Sequence, residues 1–229
     1  MKDIENYKIL PMFCNDVGII TIKNLTGLML DLAFRQSGRV EENLTIMDQK
    51  VWLLYSWDIE FISNIREEDE IEIETFPTYM KRFYAYRNFE IRKDGEIVAE
   101  AKACLILFDL AKKRACIIDE EILKAYGENP ETYAGKAYKK SPDFEIDKNI
   151  QVRNSDFDKN HHVNNGIYFD YLKEIESFEE EKISYIKIIY KNEIRKEDEV
   201  LLFYKKNKKQ IDFKIESDVN HAYGVVSYV

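Results

Sequence analysis

Arg153-Asn154-Ser155-Asp156-Phe157-Asp158-Lys159-Asn160-His161-His162-Val163-Asn164-Asn165-Gly166-Ile167-Tyr168 is the stretch on which the reading of this 229-residue chain turns. Asp156, Asp158, Asn160 and His162 fall on every second residue, so an extended backbone would turn all four polar side chains to one side. The pattern then becomes helical. Asn164 or Asn165 is placed to cap an N-terminus, and Tyr168, Tyr171, Leu172, Ile175 and Phe178 recur at three- and four-residue steps, which predicts a helix over 165–178. A carboxylate, an amide and an imidazole thus arrive at the positive end of a helix whose far face is buried. That suits chemistry on a carbonyl: the helix end favours developing negative charge, and nearby polar groups move protons or place water. An ordinary loop and cap would use the same residue types.

Metal chemistry fits the stretch poorly. A calcium loop needs Gly at its sixth position and Glu at its twelfth, and counted from Asp156 these are His161 and Ile167. His161, His162 and His221 are the only histidines, and with no Cys near the motif there are too few soft ligands for zinc. No metal and no other cofactor is expected. Adjacent side chains point in different directions on a strand or a loop, so at most one of His161 and His162 serves the site. Arg153 and Asp156 are expected to brace the loop by an ion pair or turn contacts, and Asn164 to cap the helix.

The segment resembles the signature of the acyl-carrier-protein (ACP) thioesterases, double hot-dog enzymes best known from plant plastids. Arg153 through Tyr168 match every fixed position of Arg-x-x-Asp-x-Asp-x-Asn-x-His-Val-Asn-Asn-x-x-Tyr. A Tyr-rich strand ending in Glu is matched by Ser184-Tyr185-Ile186-Lys187-Ile188-Ile189-Tyr190-Lys191-Asn192-Glu193. In the first half, residues 57–78, Arg87-Asn88-Phe89 and the strand pair over 99–118 follow in the family's order. The resemblance implies an α+β fold of two tandem hot-dog units, each a long helix wrapped by antiparallel sheet, packed as a pseudo-dimer. It implies a thiolester hydrolase that releases free fatty acid from acyl carrier protein and terminates fatty acid synthesis. Whether two pseudo-dimers pair into a homodimer is left open.

The family's functional positions fall on Asp158, Asn160, His162 and Glu193. On that reading Glu193 acts as general base on water or attacks directly, and His162 shares the proton traffic. Asn160 orients water or donates to the oxyanion with backbone amides near Asn165 and Gly166, and Asp158 orients His162 or Asn160. One departure matters: plant relatives commonly carry Cys after the strand glutamate, whereas Ile194 stands here and no Cys lies beyond Cys116. Carboxylate and water must then suffice.

Periodicity and turn chemistry organise the chain into two similar halves, 1–126 and 144–229, joined by a polar linker over 127–143. In the first, a helix over 25–36 with Gly38 as its stop precedes strands at 52–62, 70–78, 83–92, 96–108 and 114–118, and Asp94-Gly95 reads as a hairpin turn. In the second, strands are expected at 150–152, 184–193, 199–204, 210–216 and 222–228. The first helix start, Ile22-Lys23-Asn24-Leu25-Thr26-Gly27, has no carboxylate and no histidine, so acid-base chemistry is assigned to the second half. The first is left to shape an acyl pocket, with Leu28, Met29, Leu32, Trp57 and Phe89 serving as lining or as plain core.

With 45% hydrophobic and 13% aromatic residues the chain buries a substantial core. No run approaches the length of a membrane span, and Met1-Lys2-Asp3-Ile4-Glu5-Asn6-Tyr7 lacks the apolar core of a signal peptide. The expectation is a cytoplasmic, bacterial-type member with Cys14, Cys104 and Cys116 reduced. A net charge of −9 argues against nucleic acid as a partner. It also means that docking acidic acyl carrier protein needs a local basic patch, for which Lys205-Lys206-Asn207-Lys208-Lys209, Lys112-Lys113-Arg114 and Lys81-Arg82 are candidates. Two alternatives use the same site: a coenzyme A thioesterase, for which no Gly-rich phosphate loop is visible, and a non-catalytic acyl-binding protein, which has no reason to hold all four polar residues.

Overall fold

The computed structural model describes residues 2–127, 136, 138, 143–144 and 146–229. Most of the linker expected over 127–143 lies outside the described residues. The first half contributes β1 (Asp3–Lys8), β2 (Lys50–Phe61), β3 (Glu70–Lys81), β4 (Tyr84–Lys93), β5 (Glu96–Asp109) and the two-residue β6 (Arg114–Ala115). The second contributes β7 (Ile146–Ile150), β8 (Ile183–Tyr190), β9 (Val200–Lys206), β10 (Gln210–Glu216) and β11 (Asn220–Tyr228). They form one antiparallel sheet in the order β1-β3-β4-β5-β2-β8-β11-β10-β9-β7, with β6 on β5. Asp94 and Gly95 turn the β4–β5 hairpin at φ 52° and 83°, the left-handed pair that a two-residue turn requires.

The halves join where β2 pairs with β8, and there Asp58 stands opposite Lys187. Both are buried, with Lys187 Nζ 2.7 Å from Asp58 Oδ2 and donating to the Lys136 carbonyl at 2.6 Å. Such a pair adds little over apolar packing, but losing one partner strands the other, so it disfavours any slipped register at the seam.

Helix α1 (Ile22–Glu41) lies against the sheet. Thr21 caps it by accepting the Asn24 amide at 3.2 Å, and Ile22, Leu25, Met29, Leu32 and Ala33 form its buried stripe. The helix outruns the expected 25–36 at both ends and passes through Gly38. A lone glycine costs about 1 kcal/mol, which a stripe packed over five turns outweighs. A second helix, α2 (Glu120–Tyr126), was not foreseen.

In the second half α3 (Ile167–Leu172) has only 6 residues, against the 165–178 expected. After Leu172 the chain tightens into i→i+3 hydrogen bonds, Ile175 to Leu172 and Phe178 to Ile175. A three-residue repeat satisfies these turns as well as it does an α-helix, which is why periodicity overstated the helix. Ile175 is still buried. One continuous core gathers α1, α3 and the sheet of both halves, centred on Leu25, Met29, Trp57, Phe89, Phe169 and Phe213. Among the described residues no helix is long and apolar enough to cross a membrane.

Candidate active site

The segment 156–163 is a tight loop, not the extended backbone that would turn its four polar side chains to one side. Phe157 and Val163 form an isolated bridge at its neck, and the Asp158 amide donates to the His162 carbonyl at 2.9 Å. The Asp158 carboxylate fills the loop: Oδ1 accepts the amides of Asn160 at 2.7 Å and His162 at 3.4 Å, and Oδ2 takes the Asn160 side-chain amide at 3.3 Å. An aspartate that hydrogen-bonds the backbone two residues on competes directly with strand geometry. His161 sits at φ 62° and is exposed, while the next residue, His162, turns to the site.

Asp156 does not share a face with the other three. It is 1% exposed and accepts the Arg153 amide at 2.9 Å, Arg153 Nε at 3.1 Å and the Tyr171 hydroxyl at 3.0 Å. The expected brace between Arg153 and Asp156 is therefore present, and Tyr171 ties it to α3. Burial beside the Asp156 carboxylate raises the Tyr171 hydroxyl pKa, so the phenol remains a donor.

Glu193 lies three residues beyond the end of β8, not on the strand. The Val163 amide donates to the Ile194 carbonyl at 3.1 Å, stitching the two loops together. That stitch sets His162 Nε2 2.7 Å from Glu193 Oε2. Arg195 Nη2 lies 3.6 Å from the same oxygen, and Oε1 accepts no hydrogen bond among the described residues. His162 is about one-third exposed and Glu193 about half, so the pair is open to substrate and water.

The expected helix cap is displaced. Gly166 is the N-cap of α3, and Asn164 Oδ1 accepts the Gly166 amide at 2.8 Å. Gly166 is thus not a free oxyanion donor; among the described residues the Asn165 amide is unpaired. Tyr190 steadies this segment from below, its hydroxyl donating to the Asn165 carbonyl at 3.0 Å and its ring edge-on to Tyr168. With fewer than two turns, α3 supplies little macrodipole, so single amides matter more than the helix end.

Some participants were not anticipated. Lys23, at the start of α1, pairs with Asp170 of α3 at 2.8 Å and lies beside Gly166. Comparing the helix starts for acids and histidines alone passed over it. Arg195 was signalled only by its place two residues after Glu193. His221 is fully buried and takes no part in the cluster: its ring contacts Ser217 Oγ at 2.8 Å and the Asn192 carbonyl at 3.2 Å. Among the described residues no acid, His and Cys cluster is arranged to hold a metal. Cys14, Cys104 and Cys116 are free, and burial raises each thiol pKa, that of Cys104 to about 12.

Residues 4–126 match the acyl-ACP thioesterase N-terminal domain, and residues 139–227 match the acyl-ACP thioesterase C-terminal domain. No curated protein sequence matches the chain. An acyl-ACP thioesterase from Bacteroides thetaiotaomicron superposes with a TM-score of 0.84 at 16% identity, over 100% of this chain and 98% of that one. The 12:0-ACP thioesterase from Umbellularia californica does so with a TM-score of 0.85 at 16% identity, over 100% and 97%. At that identity the likeness establishes the fold, an α+β hot-dog arrangement.

Proposed function

The chain belongs to the acyl-ACP thioesterase family, and we propose that it cleaves the thioester through the His162–Glu193 pair, with Glu193 as general base. It is a thiolester hydrolase acting on acyl-ACP. The observation that carries the proposal is the 2.7 Å contact between His162 Nε2 and Glu193 Oε2. It leaves Oε1 to take a proton from water as the water oxygen attacks the carbonyl carbon. The carbonyl electrons move onto oxygen, where the Asn165 amide and the second Asn160 N–H are the donors at hand. Collapse of that oxyanion re-forms the carbonyl and breaks the C–S bond, and the proton held by Glu193 and His162 passes to the departing sulfur. Asp158 holds the loop that carries Asn160 and His162. This leaves residues 144–229 as the catalytic unit and 1–126 as the unit shaping the acyl pocket.

Strand register separates the candidate docking patches. The C-terminal end of β8, which leads to Glu193, lies at the same sheet end as the start of β2, the end of β5 and the β3–β4 turn. Lys81-Arg82 and Lys112-Lys113-Arg114 therefore share that end, whereas the Lys205–Lys209 tip of β9–β10 lies at the other. The first two are proposed to receive acidic acyl carrier protein. Three free thiols fit a reducing, cytoplasmic setting.

Free-thiol release from ACP and coenzyme A thioesters of graded chain length tests this reading. Release from the carrier-protein esters in preference to coenzyme A is the expected result. A coenzyme A preference would contradict the donor, and no release from any ester would contradict the activity.

A further inference from the structure

His221 of β11 is fully buried, and its ring touches the loop that carries Glu193. Nδ1 lies 3.2 Å from the carbonyl oxygen of Asn192, the residue before Glu193, and Nε2 lies 2.8 Å from Ser217 Oγ. A carbonyl only accepts, so Nδ1 carries the proton and Nε2 accepts the Ser217 hydroxyl. Asp198 Oδ2 stands 3.8 Å from Nε2 and accepts the Arg195 amide at 2.7 Å. The Lys191 amide donates to the His221 carbonyl at 2.8 Å, and the Asn192 side-chain amide to the Asn220 carbonyl at 2.7 Å. The approach to Glu193 is thus tied to β11.

The first half builds the same frame without the imidazole. There the Ile62 amide donates to the Val98 carbonyl at 2.9 Å, as that of Lys191 does to His221. The Ile20 amide donates to the Ile65 carbonyl at 3.0 Å, as that of Val163 does to Ile194. Asp69 Oδ2 takes the Arg66 amide at 2.8 Å, as Asp198 takes that of Arg195. The Cys14–Ile20 bridge closes a loop in which Asn15 Oδ1 accepts the Val17 and Ile19 amides at 3.2 and 3.0 Å, in the manner of Asp158. These equivalences set Asn64 in the place of Glu193, Ile19 in that of His162 and Val98 in that of His221. The backbone path therefore forms with a buried valine at this position. An imidazole gains nothing over valine for that path and obliges both ring nitrogens to find partners. It stands only in the half that carries the acid-base pair.

We propose that His221 is a positioning residue for the reaction: its Nδ1–H holds the Asn192 carbonyl and so fixes the backbone from which Glu193 reaches His162. The inference rests on the thioesterase reading above, since it needs Glu193 to be the base. Glu193 Oε2 meets His162 Nε2 at 2.7 Å from a loop beyond the end of β8, and both side chains are partly exposed. The pair therefore depends on its backbone for alignment. Displacing a reacting group by about 1 Å costs on the order of a hundredfold in rate. The contacts that bind the acyl group are untouched, so the loss belongs to kcat and not to KM.

The experiment measures kcat and KM on acyl-ACP, with melting temperature, for wild type, His221→Phe, His221→Asn and His221→Gln. Nitrogen NMR of isotope-labelled wild type reads which ring nitrogen of His221 carries the proton. His221→Phe should lower kcat by about ten- to a hundredfold while KM stays within about twofold. His221→Asn sets an amide nitrogen near the place of Nδ1 and should restore most of kcat; His221→Gln sets it near that of Nε2 and should not. Wild-type kcat in folded His221→Phe would overturn the inference, as would equal rescue by Asn and Gln or losses that merely follow melting temperature. A bare Nδ1 in the wild type, a result that needs no variant to fold, would overturn it too, and each of these leaves the thioesterase reading intact. No release by the wild type would overturn both.

Discussion

Glu193 and His162 meet because Val163 and Ile194, the residues following each in sequence, share a hydrogen bond of 3.1 Å. The four polar residues were legible in the sequence because their order is a motif, and a motif survives changes of backbone path. Their directions were not legible. Alternation suggested a common face, but the Asp158 side chain closes a loop on its own backbone and sends Asp156 inward. At this scale the clearest prediction concerns the thiols. Each is raised in pKa by burial and none follows Glu193, so the combined Cys14→Ser, Cys104→Ser and Cys116→Ser variant should retain kcat on acyl-ACP within about twofold, well short of the loss expected on removing a catalytic group. Loss of turnover in folded protein would reopen thiol catalysis. Replacing Asn160 by Ala should cost about two to three orders of magnitude in kcat if it donates to the oxyanion.

Elements show where sequence reasoning held and where it failed. The strand at 210–216 and the Asp94-Gly95 turn were read as they stand, since alternation and left-handed turn residues are local signals. Helix α3 was overstated because i→i+3 turns mimic its period, and α2 was missed because its seven residues carry only a short apolar pattern. The Arg153–Asp156–Tyr171 brace holds the motif loop to α3. Asp156→Asn should therefore destabilise the fold by about 2–3 kcal/mol in denaturant titration and lower kcat as well, although Asp156 is not placed at the chemistry. Tyr171→Phe should cost about 1 kcal/mol. Gly224 of β11 has no room for a side chain: a Cβ there would lie 1.9 Å from the Lys187 carbonyl oxygen and 2.8 Å from Phe213 Cζ. Gly224→Ala should part β11 from β8 and cost about 3 kcal/mol or more, visible as a lowered unfolding midpoint.

For the whole molecule, tyrosine burial sets the alkaline limit. Desolvation raises Tyr86 and Tyr228 to about 12, raises Tyr126, Tyr168 and Tyr171 further, and holds Tyr190 well above the ordinary phenol value. The folded state therefore keeps these protons longer than the unfolded chain, whose phenols ionise near 10.0. Their contribution to stability is fully present below pH 10 and is lost as the pH rises from there through the folded values. Phenolate absorbance from these groups should appear together with cooperative unfolding; gradual ionisation with intact circular dichroism would contradict it. The two halves share one sheet, and the proposed chemistry stands on the His162–Glu193 pair that the second half supplies. Steady-state turnover of acyl-ACP by Glu193→Gln, alongside its melting temperature, tests that most directly. The account predicts a fall in kcat of about two to four orders of magnitude with melting unchanged, whereas wild-type turnover in the folded variant would contradict it.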